Sequence, residues 1–371
     1  MNELEKLGQK LGIAQSKKPT LFLFLLILII IITLPGIPLL LGNVEPSLEK
    51  ILPQDVQEVQ TMNDMRAQFG ADMMYVLVKA QGPTYDVRDP DVLKYVDILS
   101  ERIRENEYIL QVRNLPDLVK QVNNGIIPES NQDIQKLMNL NPNTPSFINQ
   151  DYSMTIIEIR SDTGATSETI AQVVEELENE FMITQDQNPG VSLQITGFNS
   201  IDKATFQVII QDFQYITGFS FLFMLIFLGF YFKSIKKIIA SVVVIMTAVI
   251  ITLGITGYLG LTITVVTMVA AAMIMALGIS YGINVTVEYY LLRKQHNKEK
   301  ILPELNKNMI RALIGSSLTT SAGFLALLFG IIPAMKTLGI VLAIGISITL
   351  LISILFLPVI LILQDKKYEV K

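Results

Sequence analysis

The sequence holds no cysteine and a single histidine, His296. Without cysteine no disulfide framework supports any part of the chain, and the redox compartment cannot be read from it. One histidine, set in a charged loop between spans, excludes a histidine relay and a histidine-based metal site. No phosphate-cradling loop of the GxxxxGK[ST] type occurs, so ATP is not expected to be the energy source of this chain. The acids show no paired arrangement at a catalytic motif; Glu175, Glu176, Glu178 and Glu180 read as a solvated helix face. The chain is therefore expected to be no enzyme, to carry no cofactor or metal, and to bind no nucleic acid.

What it does hold is apolar residues, 50% of 371, with a mean hydropathy of +0.45. This is the composition of a membrane protein with an attached water-exposed domain. Crossing the hydrocarbon takes about 20 apolar residues as a helix. Six segments qualify: Leu21–Leu41, Ile216–Phe232, Ile238–Tyr258, a fourth beginning near Leu261, roughly Ala312–Phe329, and roughly Leu338–Leu363. The first is too long for a typical signal-peptide core and no small-x-small site follows it, so it reads as an uncleaved anchor. Pro35 and Pro38 are expected to kink or end it. Lys and Arg set orientation. Lys17, Lys18, Lys233, Lys236, Lys237, Arg293, Lys294, Lys298, Lys300, Lys307, Arg311, Lys366, Lys367 and Lys371 all fall at one set of span ends. The expected layout is a cytoplasmic N-terminus (1–20), a first span (21–42), an external domain (43–214), five further spans (215–363) and a cytoplasmic tail (364–371) in the cell membrane. Most of the acids lie in the external segment and read as solvated surface.

That segment alternates between two periods. Met73–Ala80, Tyr108–Arg113, Ser153–Arg160 and Val191–Thr196 read as strands. Asp89–Asn106 and Thr166–Phe181 read as helices, the second with Thr166 as N-cap, and Leu115–Leu140 as helical pieces with breaks. The order βαβ, insertion, βαβ predicts an α/β domain of the ferredoxin-like kind. Ser200–Tyr215 reads as a helix continuing into the second span.

Short motifs then fall in a telling order. Gly278-Ile279-Ser280-Tyr281-Gly282-Ile283-Asn284 lies in span four. Leu318-Thr319-Thr320-Ser321-Ala322-Gly323-Phe324, Ile332-Pro333, Leu338-Gly339 and Leu357-Pro358 follow in spans five and six. PSLEKILPQDVQEVQTMNDMRAQFG follows Glu45, and Phe232-Lys233-Ser234 and Leu259-Gly260-Leu261 mark two turns. With one span, a large external domain and five spans, this resembles half of a transporter of the resistance-nodulation-division (RND) superfamily, in its MMPL-like branch of hydrophobe and amphiphile exporters. The resemblance covers nearly the whole chain. It implies export of lipids or other amphiphiles by two copies of the chain, a trimer remaining open. Rival readings are a non-transporting lipid or sterol-type sensor of the same fold and, third, a protein-export accessory factor.

In proton-driven members of that family an acid in span four carries the proton. The family pattern G-[IV]-D-Y-[AG]-I-H places that Asp at Ser280 and its His at Asn284, while an Arg often found four residues on falls at Glu288. Serine does not titrate in a usable range. Ser280, Asn284 and Glu288 are spaced four apart and so share one helix face. Glu288 stands about 12 Å along the axis from Ser280. It reads either as an interfacial acid paired with Lys294 or Arg311, or as a displaced proton or cation acceptor. Ser280, Tyr281, Asn284, Glu288, Thr319 and Thr320, with Ser316, Ser317 and Ser321, are the candidate ion path. Its oxygen ligands suit a hard cation such as Na⁺. Gly278 and Gly282, and Gly339, Ala343 and Ser347, form small-xxx-small faces for close helix packing. Backbone bonding and packing also account for most of these hydroxyls. Met268, Met273 and Met275 read as gap-filling.

Overall fold

The computed structural model describes residues 3–45, 51–61, 64, 72–81, 86–162 and 167–365. In chain order the elements are α1 (Glu3–Lys17), α2 (Pro19–Thr33), α3 (Gly36–Leu41), β1 (Asp72–Ala80), α4 (Pro90–Arg104), β2 (Ile109–Arg113), α5 (Leu115–Val122), α6 (Asn131–Leu140), β3 (Met154–Ser161), α7 (Ser167–Ile183), β4 (Val191–Gly197), α8 (Phe198–Phe232), α9 (Ile235–Tyr258), α10 (Ala270–Gln295), α11 (Lys298–Leu325), α12 (Pro333–Leu355) and α13 (Leu357–Leu363). They divide into two units. One is helical: Met1–Glu45, Ile51–Pro53 and Val208–Lys371. The other, Pro46–Lys50 with Gln54–Gln207, contains the sheet.

The sheet unit follows its alternating pattern. The strand order is β2-β3-β1-β4, and every neighbouring pair is antiparallel. Val76 at the centre lies opposite Ile157 on one side and Ile195 on the other. Side chains alternate between faces in a strand, so Met74, Val76, Val78, Ile157 and Ile159 all point one way and are fully buried. Val92, Tyr95, Val96, Leu99 and Ile103 of α4 and Val173, Val174 and Leu177 of α7 pack on them. Each such side chain contributes about 1.5–3 kcal/mol on burial. Asp89 caps α4 by accepting from the Asp91 amide, and Asn114 caps α5 by accepting from the Asp117 amide at 2.7 Å. The insertion α5–α6 has a core of its own around Leu115, Val119, Ile134 and Phe147. The expected cap Thr166 and most of the stretch following Glu45 lie outside the described residues.

Among the described residues six helices are long and apolar enough to cross a membrane: Pro19–Leu41, Lys203–Phe232, Ile235–Tyr258, Thr267–Gln295, Lys298–Phe329 and Pro333–Leu363. The first breaks between α2 and α3 at Leu34-Pro35, because proline supplies no N–H and its ring crowds the carbonyl four residues back. The sixth breaks at Phe356, between α12 and α13, for the same reason at Pro358. α8 is a single helix of 35 residues, continuous through the predicted Ser200–Tyr215 piece.

One expectation needs correction. The charged stretch after span four was read as a loop up to about Ala312, yet α11 begins at Lys298. Ile301, Leu302, Leu305 and Ile310 recur at helical spacing and are buried, so an apolar stripe runs through the charges.

Span one and span three meet backbone to backbone. A Cβ on Gly254 would stand 2.0 Å from the Thr33 carbonyl oxygen, and one on Gly36 equally close to the Gly254 oxygen. The Tyr258 hydroxyl donates to the Ile32 carbonyl at 2.8 Å beside this crossing. Gly254→Leu is expected to force the two spans apart, destabilising the protein by about 1–3 kcal/mol or more. Gly218→Leu, at a helical glycine with nothing within 4 Å, is the control. Thermal unfolding of the purified protein checks both; equal midpoints would contradict the crossing.

Candidate functional site

Span four starts with a pair of threonines that close its first turn. Thr267 Oγ1 accepts from the Thr264 amide at 2.7 Å, and Thr264 Oγ1 accepts from the Val266 amide at 3.2 Å. The helix then runs unbroken through α10, whose last turn carries Arg293 and Lys294, a favourable placing for cations against the helix dipole.

The two faces of α10 differ. Gly278, Tyr281, Gly282, Val285, Tyr289 and Leu292 point into the helical unit. A Cβ on Gly278 would meet Thr349 Cγ2 at 3.1 Å, and one on Gly282 would meet Ser241 Cβ at 3.3 Å. These two glycines thus lie where α12 and α9 approach. Ser241 and Thr286, both fully buried, bond hydroxyl to hydroxyl at 3.3 Å across the α9–α10 seam. Ser280 and Asn284 lie on the opposite face with Ala276, all exposed, and Glu288 is half-buried at the end of the row. Tyr281 does not share that surface. It packs in the apolar core with Val244, Val285 and Ile346.

α11 continues the outward face. Asn308, Ala312, Gly315, Ser316, Thr319, Ala322 and Gly323 are exposed at helical spacing. Asn308 Nδ2 donates to Glu288 Oε1 at 2.8 Å and joins the two helices. The partner of Glu288 is thus a neutral amide, where Lys294 or Arg311 was expected. The hydroxyls of Thr319 and Thr320 are occupied locally. Thr319 bonds the carbonyls of Gly315 and Ser316, and Thr320 bonds that of Ser316 at 2.8 Å. Ser317 and Ser321 point inward, and the buried Ser321 Oγ has no partner among the described residues. In span six a Cβ on Gly339 would stand 2.5 Å from the Phe324 carbonyl oxygen, and Ala343 is buried. Ser347 faces outward and bonds back to Ala343. Among the described residues no group of three or more His, Cys, Asp or Glu is placed to hold a metal.

A second polar cluster was not foreseen. Asp365, just past the last span and buried, forms an ion pair with Arg293 and accepts from the Tyr289 hydroxyl at 3.3 Å. Lys237 Nζ sits 4.2 Å from the centre of the Tyr290 ring, a cation–π contact beside it. The only trace in the sequence is an acid two residues past the end of an apolar run.

A sequence model of the MMPL family matches residues 50–367. This chain belongs to the MMPL family. A candidate membrane protein of Methanocaldococcus jannaschii is 28% identical to this MMPL chain over 98% of its length and 95% of the relative's. A candidate transport protein of Mycobacterium leprae, MmpL4, is 25% identical over 53% of the chain, which spans only 21% of that protein. Among solved structures, the hedgehog release protein Disp of the water bear Hypsibius dujardini superposes with a TM-score of 0.67 at 12% identity. That match takes in 95% of this chain and 49% of Disp. The likeness to Disp is one of fold. Family and apolar helices together make this a membrane protein of several spans with a transporter-type role.

Removing the Asp365 carboxylate leaves the Arg293 cation without its partner in a site that is mostly closed to water. Asp365→Leu is expected to cost about 1.5–3 kcal/mol, the range for hydrogen bonds to charged groups. Arg293→Met in the same chain should restore much of it, since replacing both partners leaves no orphaned charge. Unfolding midpoints of the three variants check this; a double variant less stable than the single would contradict it.

Proposed function

We propose that this chain exports lipids or other amphiphiles across the cell membrane, working as two copies joined over the α10–α11 face. The observation that carries the proposal is the outward row of exposed Ser280, Asn284 and Asn308 with the half-buried Glu288. Polar side chains facing hydrocarbon are costly and by default mark function or a protein contact. The small residues beside them, Ala312, Gly315, Ala322 and Gly323, are those that let helices approach closely. A twofold axis through this face would bring the same patch of two copies together, the commonest closed symmetry. Nothing further is asked of the second copy than to repeat what this one shows.

In this reading the sheet unit is a ferredoxin-like domain outside the membrane; its antiparallel order β2-β3-β1-β4 supports the ferredoxin-like fold. Both chain ends lie on the cytoplasmic side, as the lysines and arginines at one set of span ends favour. Ser280 cannot carry a proton, so coupling falls to Glu288. Its neutral partner Asn308 accepts either protonation state, because an amide offers both a donor and an acceptor. The sensor reading draws its support from the same serine, since a site without a titrating group at that depth suits binding without transport.

Two measurements test the proposal. In vesicles with an imposed pH gradient, Glu288→Gln is expected to lower gradient-driven lipid efflux at least tenfold. Unchanged efflux would exclude Glu288 as the coupling group, and lipid binding with no efflux in the unaltered protein would favour the sensor. The chain has no cysteine of its own, so Ser280→Cys or Asn284→Cys introduces a single thiol. Oxidation in membranes should trap a disulfide-linked pair of chains; monomer alone would count against the twofold face.

A further inference from the structure

Away from that face, α1 forms a polar joint with the broken sixth span. Three of its residues are buried, Gly8, Gly12 and Gln15, and they share one helix face. α1 lies against the first turns of α11 with almost no side chain between the backbones. A Cβ on Gly12 would stand 2.4 Å from the Leu302 carbonyl oxygen, and one on Gly8 would stand 2.7 Å from that of Asn306.

This close approach carries Gln15 inward, where it is fully buried. Its Nε2 donates to the carbonyls of Ile354 at 2.9 Å and Leu355 at 3.0 Å. Its Oε1 accepts from Asn306 Nδ2 at 2.6 Å. The two carbonyls are among those that the break in span six leaves without helical donors. A continuous helix would answer Ile354 from residue 358, but that residue is Pro358 and has no N–H. Leu355 is the last residue of α12, so its carbonyl is among those orphaned at a helix end. One glutamine amide thus uses both donors on span six and its acceptor on α11. Beyond the break, α13 is held at its far end through Asp365, by Arg293 and Tyr289 of α10.

We propose that α1 is a clasp that sets the bend of span six. Docked, it caps the broken helix through Gln15, with Asn306 holding the amide in register. Released, it withdraws both donors at once, and α13 loses its fixed angle to α12. Docking of α1 is then a control point on the sixth span, independent of the α10–α11 face and of whether the protein transports.

The test is amide hydrogen exchange of the full chain in detergent, read over Phe356–Leu363. Gln15→Met keeps the length of the side chain but removes its donors, and should raise exchange there at least tenfold. Pro358→Ala returns an N–H to the Ile354 carbonyl, so in that background Gln15→Met should have far less effect. Exchange unchanged by Gln15→Met, or an equal rise with and without Pro358→Ala, would overturn the proposal. Should Gln15→Met fail to fold, Asn306→Leu loosens the clasp while leaving Gln15 in place, and the same two outcomes decide.

Discussion

Hydrocarbon offers no hydrogen bonds, and the helical unit is arranged around that constraint. Each backbone or side-chain polar group in a span needs an answer from within the protein. Most answers are local: Thr33, Thr252, Thr349 and Ser347 each bond a carbonyl four residues back on their own helix. A few cross between helices, as Ser241 does to Thr286 and Tyr258 to the Ile32 carbonyl. Where proline removes a donor from span six, a glutamine from another helix supplies it. Against this background Ser280 and Asn284 stand out, because both are exposed on the outward face of α10.

The sheet unit is patterned differently. Its apolar residues alternate or recur along one stripe, its described acids are exposed or half-buried, and its core is sealed by α4 and α7 on one face of the sheet. Tyr95, the largest buried side chain there, settles its hydroxyl on Thr184 at 3.2 Å. The same hydroxyl chemistry that closes helix turns in the spans here closes a core.

Six spans and four strands were legible because length and period are properties of contiguous sequence. A run of about 20 apolar residues or an alternation over eight needs no knowledge of its neighbours. The first turns of α11 were misread because Lys298, Lys300 and Lys307 outweighed the stripe Ile301, Leu302, Leu305 that α1 covers. In the candidate site, the spacing of Ser280, Asn284 and Glu288 put them on one face, yet spacing alone did not say whether that face turned inward or outward. Tyr281 is adjacent in sequence and buried, a difference made by α9 and α12 packing on the other side.

By itself the sequence determined the class of molecule, the order of its six spans and four strands, and the absence of a titratable group at Ser280. Those follow from residue type and from periods of 2 and 3.6. Only the tertiary structure decided which helix face is covered, that Glu288 meets Asn308, that Asp365 meets Arg293, and that Gln15 completes the break at Pro358. These partners lie 20, 72 and more than 300 residues apart. No local pattern encodes such pairings; they arise when packing brings distant segments together and an unanswered polar group in an apolar place costs too much to leave alone.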